Sequence, residues 1–214
     1  MTRRQSATVL LAALCALVSG CASYREGELL PVKSWPPMPG QGGRSVGIVF
    51  RADVMLNGEE QGASLKQFTR WQEEVVRAYV ESDLFSDVRA GSLEIDPESG
   101  VFVDREAGIG GTDLRVEITL TDRMTVNWTW SIITGLTVYI IPSRAADEFV
   151  LYTIVRNDQG DILAEFEESE TVYLWQHLFL IPAMAFSYPS SVERETVYDL
   201  NRSAIVKACS NGVF

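Results

Sequence analysis

The sequence has few of the side chains from which metal sites and nucleophile sites are usually built. Its 214 residues include a single histidine, His177, and one histidine excludes a cluster of histidine metal ligands. The serine motif G-x-S-x-G is absent. The glycine-rich stretch 107–112 lacks both the Lys-Ser/Thr ending of a phosphate loop and the full dinucleotide fingerprint. We therefore expect a protein without a metal, without a cofactor and without enzymatic activity.

Charge is missing from two long segments, 124–143 and 171–192. Each is long enough to allow a membrane span, which needs roughly 20 apolar residues. In the first segment, however, Val126, Trp128 and Trp130 alternate with polar residues, and a period of two predicts β-structure. We therefore expect two strands, or one bent strand, in this segment.

The second uncharged segment is ambiguous between residues 176 and 188. The stretch Q-H-L-F-L-I-P-A-M-A-F has little period and contains Pro182, which would break or kink a helix. Three interpretations stay open: a buried core segment, an element lying at the membrane interface, and a membrane span. The core interpretation is favoured, although Trp175 and Tyr188 are residues that often sit at membrane interfaces.

The chain is acidic, with 29 Asp and Glu against 18 Lys and Arg and a formal net charge of -11. This balance disfavours nucleic acid and anionic lipid headgroups as partners. Glu165, Glu167 and Glu170 are predicted to line a solvated strand face. Paired carboxylates can do acid–base chemistry, but an enzyme that uses Asp or Glu alone is the least favoured function.

The first twenty residues have the organisation of a secretory signal peptide. Arg3 and Arg4 form a short positive region, and residues 7–18 are almost purely apolar. That segment is too short to cross a bilayer. Ser19 and Gly20 are small enough to admit a signal peptidase. Residues 1–20 are therefore predicted to be removed.

Residues 18–21, V-S-G-C, resemble the lipobox of bacterial lipoproteins. The resemblance implies cleavage before Cys21, acylation of its sulfur with a chain such as palmitate, and acylation of the new amino terminus. Several chains would make the attachment effectively permanent, because one acyl chain alone binds a membrane reversibly. Ala22 stands where lipoproteins of the inner membrane often carry Asp, so the resemblance implies the outer membrane, facing the periplasm.

Cys209 is the one cysteine left once Cys15 leaves with the signal peptide and Cys21 carries lipid. It then has no intramolecular partner, and a disulfide framework is excluded. We favour a buried thiol for Cys209 over one half of an intermolecular disulfide.

The rest of the chain is predicted to consist of a tether and one domain. Residues 21–45 contain L-P-V-K-S-W-P-P-M-P-G-Q-G-G-R, which has no apolar period and is typical of a Pro/Gly-rich tether. Such a tether would let a folded domain stand away from the membrane. Residues 46–214 have the length of a single domain.

Helices and strands alternate in this domain in an order typical of α+β proteins. Capping-box patterns at Ser64 and Gln67, and at Ser190 and Glu193, predict the starts of two amphipathic helices. Alternating or buried apolar runs predict the strands, at 46–54, 92–104 as a hairpin, 113–123, and 149–175 as a hairpin around the turn 157–161. We expect an antiparallel sheet of about five to seven strands with the two helices packed on one face.

The second half of the chain also resembles a family of uncharacterised proteobacterial envelope lipoproteins. The residues that carry the resemblance are T-G-L-T-V-Y-I-I-P at 134–142, a following strand and D-x-G turn, and W-Q-H-L-F-L-I-P at 175–182. The resemblance implies no catalytic residue.

Two functions follow as hypotheses. The first is a non-catalytic periplasmic adaptor that is held to the membrane by lipidated Cys21 and binds another envelope protein. The second is a binder or carrier of a lipid or other apolar ligand. Its contact residues, to a ligand or to the membrane, would be Trp128, Trp130, Trp175 and Phe179.

Overall fold

The computed structural model describes residues 21–27, 29, 32, 34–36, 43–95, 102–105, 108–180 and 187–214. The predicted signal peptide, residues 1–20, lies outside the described residues. The elements follow in chain order: β1 Cys21–Arg25, β2 Ser45–Leu56, β3 Glu59–Glu60, α1 Leu65–Glu81, β4 Asp87–Ala90, β5 Ser92–Ile95, β6 Phe102–Arg105, β7 Leu114–Val126, α2 Trp128–Leu136, β8 Ser143–Asn157, β9 Ile162–Gln176, a 3-10 turn Leu178–Leu180, and α3 Pro189–Ser210.

The fold is α+β, as predicted, and is organised around a mostly antiparallel open sheet of seven strands. Six strands follow the order β1-β9-β8-β7-β2-β3, and β4 pairs with β2. The pairs β2–β7 and β2–β4 are parallel, because the chain passes through α1 before it returns to the sheet. The predicted hairpin at 92–104 is present as the separate antiparallel pair β5–β6; its turn lies outside the described residues.

The core lies between the sheet and two of the helices. In β7 the predicted alternation is confirmed, because Leu114, Val116, Ile118 and Leu120 are all buried while the residues between them are half-buried. Buried side chains of α1 and α3 belong to the same hydrophobic cluster as these strand residues. Within α1, Trp71 packs edge-on against Phe149 of β8 with 6.3 Å between ring centroids.

The two predicted helices differ in how they begin. At α1 the capping box is confirmed: Ser64 Oγ accepts a hydrogen bond from the Gln67 backbone N–H. At α3 the predicted box is wrong, because Tyr188 is the N-cap residue, makes no side-chain cap, and Pro189 occupies the first turn. Proline suits this position because the backbone N–H it lacks would have no helical partner there.

The two strands, or one bent strand, predicted in the segment 124–143 are wrong, because no strand lies between Val126 and Ser143, a stretch that the structure describes throughout. The strand β7 ends at Val126, and a third helix, α2, follows at Trp128–Leu136. Asn127 ends the strand, since its side-chain oxygen accepts from the Trp130 backbone N–H at 3.2 Å and caps the helix. A short apolar run does not distinguish strand from helix by its period alone. In this segment the Asn127 cap favours the helix.

The first residues of the predicted tether belong to the sheet. Cys21–Arg25 forms the edge strand β1, antiparallel to β9.

Glu170, expected on a solvated face, is instead buried beside this segment and accepts from the backbone N–H groups of Gly27 and Leu29 at 2.9 and 3.1 Å. The even-numbered residues of this part of β9 face the core, so Glu170 shares a face with Phe166 and not with Glu165.

Candidate membrane-facing end

One end of the large sheet collects the segments that carry no charge. Cys21 opens β1 opposite Gln176, the last residue of β9, and Gln176 pairs in turn with Ser143, the first residue of β8. The last residues of β7 pair with the first residues of β8 at the same end. As a result, three segments leave the sheet at the end where Cys21 lies: α2, residues 137–142 and the turn 178–180.

Large hydrophobic side chains are exposed on these segments. Leu136 is 80% exposed and Phe179 is 79% exposed, and the sequence provides no charged residue from 124 to 143 or from 171 to 192. Soluble domains rarely leave a group of this size in water unless it binds something. We call this group the apolar end; its residues are Trp128, Trp130, Ile132, Leu136, Val138, Ile140, Ile141, Phe179 and Tyr188.

The helix α2 presents most of its surface outward. Thr134 is its one buried residue, and α2 contributes no residue to the hydrophobic core cluster of the described chain. A helix that packs so little is expected to have little stability from burial of its own. Its hydrogen bonds to Asn127 at the start and to Thr137 at the end therefore hold its shape.

The chain leaves α2 through an unusual backbone conformation. Val138 and Tyr139 both have positive φ, at 52° and 59°, and the Tyr139 N–H donates to the Thr134 carbonyl at 2.8 Å. Glycine is the usual residue at such a helix end. A left-handed conformation in a β-branched residue such as Val138 is strained, and strain of this kind often accompanies a functional constraint.

His177 joins two segments of the apolar end. Its Nδ1 accepts from the Phe179 backbone N–H at 3.3 Å, so Nε2 carries the proton and donates to the Ile140 carbonyl at 3.1 Å. A histidine in an apolar run, as His177 is, is more often a hydrogen-bonded core residue than a general base; the hydrogen bonds are present, but the ring is half-buried and lies outside the hydrophobic core. Both ring nitrogens are used within the protein, which leaves neither free as a general base.

Cys21 is attached firmly to the domain through the residues that follow it. The Ser23 backbone N–H donates to the Ser187 carbonyl at 3.1 Å. The Arg25 guanidinium donates to Asp199 of α3 at 2.7 Å and to Thr196 of the same helix at 3.0 Å. A lipid on Cys21 would therefore bring the apolar end close to the membrane, because no free spacer separates them.

An open apolar cavity of about 410 Å³ lies at this end. Its volume falls within the roughly 300–1,000 Å³ of typical small-molecule pockets. None of the described residues that line it carries a charge. The lining residues are Ala22, Tyr24, Pro142, Trp175, His177 and Leu180.

The four aromatic residues that the sequence suggested as contacts lie at this end in two different settings. Trp175 lines the cavity. Trp128, Trp130 and Phe179 are more than half exposed and belong to the apolar end. Sequence reasoning missed Ala22 and Tyr24, because they reach the cavity only through the pairing of β1 with β9.

Buried acids form a second feature, under the starts of α1 and α3. Burial, together with the nearby charges of Asp147 and Glu193, raises the pKa of Asp122 to about 7. Burial and Glu193 raise the pKa of Asp147 to about 6. The cavity that they line has a volume of only about 80 Å³, well below that of a usual ligand pocket.

Other reactive groups are also accounted for in the described part of the chain. No cluster of three or more His, Cys, Asp or Glu residues there could hold a metal ion. Cys209 is a free, half-buried thiol, and burial raises its pKa. Among the described helices, none is both long enough and apolar enough to cross a bilayer. Residues 181–186, part of the ambiguous segment, lie outside the described residues.

Comparison with known proteins gives no family assignment. No protein family and no curated protein matches the chain. Among solved structures, a neuraminyllactose-binding hemagglutinin homologue from Helicobacter pylori is similar to it, with a TM-score of 0.39 and 9% sequence identity over 86% of this chain and 91% of that one. A likeness of this degree carries no argument about function.

Proposed function

We propose that this protein is a lipid-anchored envelope protein that rests on the outer membrane from the periplasmic side, with its apolar end in the membrane interface. In this position it acts as a non-catalytic binding module. The lipid is carried by Cys21, in keeping with the lipobox at residues 18–21.

The observation that carries this proposal is the position of Cys21 at the apolar end. The residue that resembles a lipidation site and the uncharged exposed side chains lie at one end of one sheet. Because β1 is tied to α3 through Arg25, an anchor at Cys21 would fix which end of the domain faces the bilayer. Lipid chains and apolar side chains would then act together.

The energetics favour contact between the apolar end and the bilayer. Burying a large apolar side chain is worth about 1.5–3 kcal/mol, and nine such side chains are exposed here. Tethering by lipid raises their effective concentration at the membrane. Individually weak insertions then become sufficient to orient the domain.

The anchor is tested by intact-mass analysis of the protein from membranes and by a Cys21→Ser variant. We expect a mature chain that begins at Cys21 and carries fatty acids, and a variant that is no longer held tightly in the outer-membrane fraction. A mature chain without added fatty acid, or a Cys21→Ser chain that fractionates unchanged, would refute the anchor.

The apolar end is tested separately on the mature chain, residues 21–214, carrying Cys21→Ser, with vesicles of zwitterionic lipid. Each of Leu136→Ser and Phe179→Ser should weaken vesicle binding about tenfold, since losing one inserted side chain removes about 1.5 kcal/mol or more. Leu163→Ser is the matched control, because Leu163 is exposed near the opposite end of β9. Equal loss in the control would show that the surface is not specific.

The adaptor part of the proposal concerns the face of the sheet turned away from the core. Glu165 and Glu167 are exposed on β9, and an acidic surface favours a basic partner. Reversing both charges, Glu165→Lys with Glu167→Lys, should remove a co-purifying envelope protein while membrane fractionation stays unchanged. No reproducible partner from wild-type membranes would argue against an adaptor.

A further inference from the structure

We propose that the 410 Å³ cavity binds one acyl chain of a membrane lipid, drawn from the bilayer on which the apolar end rests. The inference rests on the proposed function, because the cavity lies at the membrane-facing end. It adds to that function a defined binding site and the chemical class of its ligand.

The chemistry of the lining fits a hydrocarbon chain. The walls are formed by Ala22, Pro142, Leu180 and the rings of Tyr24, Trp175 and His177. His177 uses both nitrogens within the protein, on Ile140 and Phe179, and so presents a wall without a free polar atom. A largely apolar site favours an uncharged, flexible ligand segment over a polar metabolite.

The position of the cavity favours a chain that comes from the membrane. Pro142 ends the exposed segment 137–142 and Leu180 ends the turn that exposes Phe179. A lipid chain leaving the bilayer at the apolar end would thus meet the cavity directly. Nothing charged in the described lining would have to be desolvated as the chain entered.

The geometry also separates this chain from the lipid on Cys21. Side chains of a strand alternate between the two faces. Ala22 and Tyr24 line the apolar cavity, whereas Ser23 lines the small acidic cavity on the face covered by the helices. Cys21 shares the face of Ser23, so a chain on its sulfur starts on the opposite side of the sheet from the proposed site.

Equilibrium dialysis of radiolabelled monomeric palmitate against the mature chain, residues 21–214, carrying Cys21→Ser tests the site. We expect saturable binding of one palmitate per chain. Filling the cavity with Ala22→Trp or with Leu180→Trp should lower the affinity about tenfold or more. Two variants from different elements are used because Ala22→Trp alone could disturb β1, and a circular dichroism melt checks that each is folded.

Phe179→Ser provides the matched control, since Phe179 is exposed beside the cavity and is absent from its lining. It should bind palmitate normally and zwitterionic vesicles poorly. The cavity-filling variants should bind palmitate poorly and zwitterionic vesicles normally. Absence of saturable palmitate binding would overturn the inference. So would folded cavity-filling variants that bind palmitate with the affinity of the parent chain. Neither result would bear on the proposed contact of the apolar end with the membrane. If Leu163→Ser weakened vesicle binding as much as Phe179→Ser, while palmitate bound as expected, the proposed function would be refuted and the acyl-chain site would remain supported.

Discussion

Arg25 and Asp199 join the first strand of the sheet to the last helix across 174 residues of sequence. Two nitrogens of the guanidinium, Nη1 and Nη2, donate to Oδ2 of the carboxylate at 2.7 and 2.9 Å. The same guanidinium reaches Thr196 Oγ1 and the Glu195 carbonyl. Together with the pairing of β1 with β9, this contact makes Cys21 part of the domain instead of part of a free tether.

Removal of the Arg25 guanidinium should loosen β1. In Arg25→Met the stem is kept and four hydrogen bonds are lost, so we expect the free energy of unfolding to fall by about 1–3 kcal/mol. Hydrogen exchange at residues 22–25 should accelerate. Arg123→Met is the control, because Arg123 and Glu148 form a pair that is about half exposed and such pairs contribute about 0–1 kcal/mol. Equal destabilisation by both variants would contradict the role of Arg25.

The buried acids predict that stability decreases as the pH rises. The pKa of Asp122 is raised from 3.8 to about 7 in the folded protein, so the folded state binds this proton more tightly than the unfolded state does. The stabilisation is fully present below about pH 4 and is lost as pH rises through about 7. Thermal melts from pH 5 to 8 should show a falling Tm for the wild type.

Asp122→Asn should remove much of that pH dependence and raise the Tm at pH 8, because no charge then has to be buried beside Asp147. Asp158→Asn, in the exposed turn between β8 and β9, should follow the wild-type curve. A wild-type Tm that is flat from pH 5 to 8 would show that Asp122 ionises without cost.

The Val138 side chain is expected to lower the stability of the fold and to strengthen membrane contact. Its φ of 52° strains a β-branched residue, and Val138→Gly should raise the free energy of unfolding by about 1 kcal/mol. The same change removes an exposed apolar side chain and should weaken vesicle binding. In Val80→Gly, at an exposed site in the last turn of α1 where the backbone is helical, stability should instead fall, by up to about 1 kcal/mol. A destabilised Val138→Gly would show that the side chain has a packing role.

The Asn127 cap should determine whether α2 keeps its helical form. Because this helix buries only Thr134, Asn127→Ala, which removes about 1 kcal/mol of capping, should accelerate hydrogen exchange in residues 130–134. Ser64→Ala removes a cap from α1, which is held by a buried face, and its exchange should change less. Equal protection of α2 with and without the cap would mean that other contacts hold it.

Local patterns were sufficient for much of the fold. The alternation of β7, the capping box of α1 and the hairpin β8–β9 depend on residues close in sequence, and all three are confirmed. The strand prediction in the segment 124–143 failed for the same local reason, since apolar residues at 126, 128 and 130 suit a short helix as well as a strand. Only the side chain of Asn127, read as a cap, could have signalled the difference.

The sequence by itself determined β7, α1 and the β8–β9 hairpin, the acidic balance, the charge-free segments and the resemblance of residues 18–21 to a lipobox, because each is a property of neighbouring residues. Tertiary structure decided that Cys21, α2 and Phe179 share one end, that Ala22 and Trp175 line one cavity, and that Glu170 and Asp122 are buried. These facts depend on strand register between segments about 150 residues apart. Register is fixed by the packing and hydrogen bonding of the whole sheet, and no local pattern records it.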